Sequence, residues 1–195
     1  MITPHIIKLL RERLGPELSN DIIIFSQENP TAIPSRFMES AYAKLSTGMA
    51  RHNGKLFEGL FLAILGRAGI AHVILDAEYG CLPYSTIDVA IYYEKKVPVL
   101  ISLKSSLRER WKQSDLEFSR IKSLNPGAIC AIATLEDAGM PLRLLGENRL
   151  LGSDFIIDCR VPSHWAKFLS RITESKNVTC IEDKTLGLID YSHRS

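Results

Sequence analysis

Four polar residues between positions 88 and 117 have the types and the spacing that metal-assisted hydrolysis requires. Asp88 lies near the start of one apolar segment, Lys104 ends the next, and Glu117 follows in a charged segment. Ser102 precedes Lys104 by two residues, so both side chains point to the same face if the segment is a strand. A carboxylate beside a lysine in a cleft indicates a metal ion next to a charge stabiliser. That is the chemistry of phosphate-ester hydrolysis.

Two predicted strands position these groups. Residues 87–93 and 97–103 are rich in β-branched and aromatic residues, which is typical of strands. The link between them, residues 94–96, is short and polar, so we predict an antiparallel hairpin. Such a hairpin places Asp88, near the start of one strand, close to Lys104 at the end of the next.

A predicted helix follows Lys104, capped by Ser105 or Ser106 and extending to about residue 124. Glu117 lies beside its apolar stripe, which turns the carboxylate toward the strand ends. Asp88 and Glu117 together could bind Mg²⁺, which takes one or two carboxylates and keeps several waters. Lys104 would then stabilise the charge that develops on a phosphate.

The triplet Arg108, Glu109 and Arg110 has the chemistry of a DNA recognition element. Arginine can bind guanine O6 and N7 in a bidentate manner, and glutamate can accept a hydrogen bond from cytosine N4. The same L-R-E-R tetrapeptide also occurs at residues 10–13, where it is ordinary helix surface available for ion pairs. The copy at residues 107–110 is therefore a candidate recognition element only because of its fixed distance from Lys104.

These residues resemble the motif of the PD-(D/E)XK type II restriction endonucleases, in the branch that cuts CCGG, CCNGG or CCWGG sites (EcoRII- and NgoMIV-like enzymes). That branch has an aspartate, a lysine, R-(D/E)-R four to six residues later, and a glutamate thirteen residues after the lysine. Asp88, Lys104, the triplet at 108–110 and Glu117 match it. Ser102 stands where many relatives carry a second acid, and S-x-K is a variant of the motif.

The resemblance covers roughly residues 53–124 and implies a restriction-endonuclease-like core, a mixed sheet flanked by helices. It also implies Mg²⁺, double-stranded DNA, a homodimer and a cognate DNA methyltransferase in the same system. A glutamate on the preceding helix is part of the family pattern, and Glu58 matches it. Two departures are Ile87 in place of a proline and the sixteen-residue interval from Asp88 to Lys104. Asp76 therefore remains a rival for the first metal ligand.

Composition sets wider bounds. A chain of 195 residues with 46% hydrophobic content predicts one α/β domain, with a helical part at about 1–52 and a catalytic core at about 53–160. The net charge of +2 is too small to indicate a nucleic-acid binder by itself. Residues 94–122, however, contain eight Lys or Arg against four acids, a local excess of positive charge that could face phosphates. Four cysteines without a C-x-x-C pair, and no signal-peptide pattern, predict a cytoplasmic protein with reduced thiols.

The remaining segments follow ordinary periodicity. Helices are predicted at 4–14, from 34 or 35 to about 50, at 54–68 and at 162–172. Strands are predicted at 71–75, 128–134 and 154–159, and residues 26–34 are predicted to be a loop.

Three other functions compete with the restriction-enzyme hypothesis. A repair or junction nuclease of the same fold would bind DNA structure and make the triplet at 108–110 accidental. A Ser-Lys hydrolase would use Ser102 as nucleophile and Lys104 as base, without metal. A non-catalytic DNA-binding relative would bind without Mg²⁺ and cut nothing.

Overall fold

The computed structural model describes residues 2–46, 53–79, 86–92, 97–107, 110–175 and 188–189. The chain forms two compact units. One comprises Met1–Ala71 with Cys159–Trp165, and the other His72–Asp158 with Ala166–Ser195. The predicted mixed α/β class is confirmed, because four helices precede a mixed β-sheet.

The first unit is helical. Its helices are α1 (Pro4–Leu14), α2 (Pro16–Glu28), α3 (Pro34–Leu45) and α4 (Asn53–Arg67). The predictions for α1 and α4 are confirmed, and Gly15 and Gly69, both at positive φ, follow the ends of these helices. The loop predicted at 26–34 is wrong at its start, since α2 continues to Glu28. Leu18, Ile22 and Phe25 are buried at helical spacing. The continuous apolar run at residues 22–25 hid this helical period in the sequence.

Helix α4 is the most buried helix of this unit, with every residue from Leu56 to Gly66 buried. Gly59 faces Leu14 and Ile22, and a Cβ there would lie 2.9 Å from Ile22 Cδ1 and closer still to Leu14. The missing side chain lets α1 and α2 approach α4 closely. This approach brings the end of α1 next to the first turns of α4.

The second unit contains a six-stranded sheet in the order β5-β4-β3-β2-β1-β6. Its strands are β1 (Val73–Tyr79), β2 (Thr86–Ile91), β3 (Val99–Lys104), β4 (Ile129–Thr134), β5 (Phe155–Asp158) and the two-residue β6 (Leu188–Ile189). β1, β2 and β3 pair antiparallel, as predicted for the last two, whereas β3, β4 and β5 pair parallel. The candidate site lies on β2 and β3 of the antiparallel part, and β3 also pairs with β4 of the parallel part.

Helices cover both faces of this sheet. On one face, α5 (Arg110–Leu124) and α6 (Gly139–Gly146) pack on a core that includes Leu100, Trp111 and Ile132. On the other, Phe155 makes an edge-to-face contact with Phe168 of α7 (Pro162–Ser175), with ring centroids 6.1 Å apart. α6 was not predicted, because its eight residues are too few for a clear period.

Two of the four cysteines lie in the part of the chain that the structure describes. Cys130 and Cys159 are buried, reduced thiols, as predicted, while Cys81 and Cys180 lie outside the described residues. Burial raises the pKa of the Cys130 thiol well above its usual range. Within the described ranges, no helix has the length and apolar character needed to cross a bilayer.

Candidate active site

The carboxylate of Asp88 is the centre of the site. Its Oδ2 atom accepts three hydrogen bonds, from Ser102 Oγ at 3.0 Å, from the Leu103 N–H at 2.7 Å and from Lys104 Nζ at 3.2 Å. The antiparallel register, in which Val89 pairs with Ile101, sets Asp88 opposite Ser102 on one face of the sheet. The predicted proximity of Asp88 and Lys104 is therefore confirmed.

Lys104 ends β3 on the same face, with a side chain that is 19% exposed beside the 35% exposed Asp88 side chain. Its ammonium group is thus partly withdrawn from water and pairs with the Asp88 carboxylate at 3.2 Å. Because neither side chain is fully buried, a ligand can reach both charges from solvent. The arrangement holds one anion and one cation on the two central strands, near the start of β2 and at the end of β3.

A buried hydroxyl pair lies behind Asp88. Ser102 and Ser114 are 5% and 1% exposed, and their Oγ atoms are 3.0 Å apart. The one hydroxyl proton of Ser102 goes to Asp88, since an ionised carboxylate can only accept. Ser114 must therefore donate to Ser102, so that the hydrogen bonds run from Ser114 through Ser102 to Asp88. This direction orients the Ser102 hydroxyl as a donor and fills one of the two lone pairs of its oxygen.

Asp76 lies on β1 directly across from Asp88, because the register passes from Leu75 opposite Val89 to Ala77 opposite Ile87. Its φ of +48° is unusual for a residue with a side chain. Aspartate tolerates this region better than most residues. Asp76 therefore stays the alternative to Asp88 as the first metal ligand, as the sequence indicated.

Glu117 lies on α5, one turn beyond Ser114, and is half-buried. Its carboxylate accepts a hydrogen bond from the Gln113 amide at 3.0 Å. The predicted position beside the apolar stripe is confirmed, since its neighbour Phe118 is buried on that stripe. Its role as a metal ligand stays a prediction.

Arg110 is the first residue of α5 and is exposed. Its backbone N–H donates to the Leu107 carbonyl at 2.8 Å. The other two members of the recognition triplet, Arg108 and Glu109, lie outside the described residues. The cap predicted at Ser105 or Ser106 is wrong, because α5 begins only at Arg110.

Glu58 lies in the helical unit, on α4. It is 8% exposed and accepts a hydrogen bond from Arg13 Nε at 2.7 Å. Arg13 ends the first L-R-E-R copy, in which Glu12 pairs with Lys8 four residues earlier at 3.6 Å. That copy is therefore the ion-pairing helix surface that was expected. The catalytic role of Glu58 stays a prediction, and its charge is balanced within its own unit.

The donor set suits a hard cation such as Mg²⁺. All hydrogen bonds to Asp88 from described residues end on Oδ2, so none of these residues occupies Oδ1 on a side chain that is 35% exposed. No three His, Cys, Asp or Glu side chains gather as a metal cluster in the described ranges. Mg²⁺ does not require such a cluster, because waters complete its octahedron.

Sequence reasoning missed two residues at this site. Ser114 is a polar residue on the apolar stripe of α5, between Trp111 and Phe118, and that interruption was a readable signal. Glu136 follows β4, and its Oε2 atom accepts a hydrogen bond from the Leu107 N–H at 2.9 Å. Nothing in the sequence pattern could have linked two residues that are 29 positions apart.

No protein-family model, no curated protein and no solved structure matches this chain.

Proposed function

We propose that this protein is a Mg²⁺-dependent, site-specific endonuclease that cuts double-stranded DNA at a short palindrome containing CC:GG pairs. The observation that carries the proposal is the contact of Asp88 with Lys104 and Ser102 at the ends of two paired strands, four residues before an R-E-R triplet. A type II restriction endonuclease of the PD-(D/E)XK kind, working as a cytoplasmic homodimer beside a cognate methyltransferase, is the form of this function that the motif favours. A two-fold protein reads a palindrome naturally.

Each residue has a defined task in this proposal. Asp88 presents Oδ1 to the metal, and Glu117 supplies a second carboxylate, with Asp76 as the alternative to Asp88. When bound, Mg²⁺ polarises the scissile phosphate and activates a water. Lys104 places its ammonium group next to that phosphate and stabilises the charge that develops there. Ser102 holds Asp88 in position through its hydroxyl.

The geometry disfavours the Ser-Lys hydrolase. A nucleophilic serine needs a base that takes its proton, whereas the Ser102 proton goes to Asp88 and its oxygen accepts from Ser114. Lys104 also donates to Asp88. Ser102 is nearly buried, so a substrate carbonyl or phosphate has little access to it.

Replacing Ser102 separates these two functions. In the nuclease, Ser102→Ala removes one hydrogen bond to a metal ligand, and we expect cleavage to fall about 10- to 100-fold. In a Ser-Lys hydrolase the loss would be about 10⁶-fold, because the nucleophile itself is gone. Initial rates over a range of Mg²⁺ concentrations measure the difference. Partial recovery at high Mg²⁺ is expected only for the nuclease.

The decisive experiment is a digest of a long DNA of known sequence with the purified protein, in Mg²⁺ and in EDTA, followed by sequencing of the fragment ends. We expect discrete fragments in Mg²⁺ alone, ending at palindromes with C·G pairs. Random nicking, or cleavage that follows junctions and flaps, would replace this function with that of a structure-specific repair nuclease. Binding without any cleavage would identify a non-catalytic DNA-binding relative.

Arg110 tests the recognition triplet. We expect Arg110→Ala to cost about 1–3 kcal/mol of site-specific binding and to relax the preference at one G·C pair, since a bidentate guanine contact is lost. Arg120→Ala is the matched control, because Arg120 is also exposed on α5. Binding to cognate and mismatched duplexes measures both variants. An equal loss for the two arginines would mean that Arg110 contributes only charge.

A further inference from the structure

Leu107, the residue before the recognition triplet, is bound to the segment that follows β4. Leu107 is 4% exposed and belongs to the core under α5. Its N–H donates to Glu136 Oε2 at 2.9 Å, and its carbonyl accepts from the Arg110 N–H at 2.8 Å. Both polar groups of the Leu107 backbone are thus satisfied, which a buried residue requires. Leu107 directly precedes the triplet in the sequence.

Glu136 is itself held by the end of β4. Its N–H donates to Thr134 Oγ1 at 3.0 Å. Thr134 is fully buried and lies opposite Lys104 in the parallel register of β3 and β4. A short chain of contacts therefore runs from Thr134, opposite Lys104, through Glu136 to Leu107, the residue before the triplet.

We propose that Glu136 is a positioning residue for DNA recognition, which holds the Leu107 backbone and thereby fixes the start of α5 at Arg110, the last residue of the triplet. This inference rests on the proposed function. Glu136 does not need to touch DNA for this role. An exposed acid next to a DNA-binding segment opposes DNA electrostatically, so its carboxylate is better explained by the backbone bond than by affinity.

Three variants test the role. Glu136→Ala removes the acceptor, whereas Glu136→Gln removes the charge and keeps an oxygen that can accept the Leu107 N–H. Asp137→Ala is the matched control, because Asp137 is the next residue, is also exposed and loses the same charge. Its own carboxylate accepts from the Gly139 N–H at the start of α6, away from Leu107.

Two measurements are made on each variant. The first is amide hydrogen exchange at Leu107 in the free protein, followed by NMR. The second is the ratio of affinities for the duplex defined by the wild-type digest and for a duplex of the same composition in scrambled order. All the proteins carry Lys104→Ala, which is expected to slow cleavage of the DNA during the binding measurement.

We expect Glu136→Ala to raise Leu107 exchange at least about tenfold and to lower the affinity ratio about tenfold, a loss of the size expected for one base-pair contact. Glu136→Gln and Asp137→Ala should stay within about twofold of the parent in both measurements. An unchanged ratio in Glu136→Ala, or an equal fall in Asp137→Ala, would overturn the positioning role. A parent protein without any site preference would overturn the proposed recognition function itself, whatever Leu107 exchange shows.

Discussion

Lys104→Ala is expected to lower the rate of Mg²⁺-dependent DNA cleavage by about 10²–10³-fold, the usual effect of removing one group that stabilises transition-state charge. Binding of the same DNA should stay close to wild type, because Lys104 is one cation within a wider basic segment. Lys104 Nζ donates only to Asp88 among the described contacts. Its loss therefore removes a charge from the site and leaves the strand pairing of β3 intact.

Two controls separate this effect from a change in packing or in net charge. Lys104→Met keeps most of the side-chain stem and should be as inactive as Lys104→Ala, since only the ammonium group matters. Lys167→Ala removes an exposed lysine from α7 and should leave the rate unchanged. Single-turnover cleavage and equilibrium binding measure the two quantities. Equal rates for Lys104→Ala and wild type would remove Lys104 from the proposed site.

The second large effect concerns stability. Gly152→Ala is expected to destabilise the protein by about 3 kcal/mol or more, at the upper end of overpacking effects. A Cβ at position 152 would lie 2.7 Å from the Asp115 carbonyl oxygen and nearer still to backbone atoms of Phe118 and Ser119. Backbone atoms of a helix cannot move aside as a flexible side chain can.

The contact at Gly152 exists because a buried carboxylate draws the chain against α5. Asp115, which is 4% exposed, accepts the N–H groups of Leu151, Gly152 and Ser153 at 2.8–3.0 Å. These bonds satisfy a buried charge, which is costly without partners. They also hold residues 151–153 against α5, so the helix cannot move away from an added methyl group without breaking them.

Urea unfolding measures the loss as a lower midpoint. Gly146→Ala is the matched control, because a Cβ at that α6 position meets no atom within 4 Å. It should unfold at or slightly above the wild-type midpoint, since alanine favours helix more than glycine does. The explanation fails if Gly152→Ala also keeps the wild-type midpoint.

Local patterns in the sequence determined the parts of the site that depend on neighbouring residues. Alternation along β3 put Ser102 and Lys104 on one face, and the short link before it implied the hairpin that brings Asp88 opposite them. Helical spacing likewise placed Glu117 beside the apolar stripe of α5. These relations repeat with a fixed period, so they can be predicted without knowing the rest of the fold.

Only the tertiary structure decided the contacts that depend on how separate elements pack. Ser114 reaches Ser102 because α5 lies across β3, and Asp76 faces Asp88 because of the register between β1 and β2. Arg13 pairs with Glu58 because a glycine lets α1 approach α4. Such contacts are set by register and packing between distant segments, and no short-range pattern of residues encodes them.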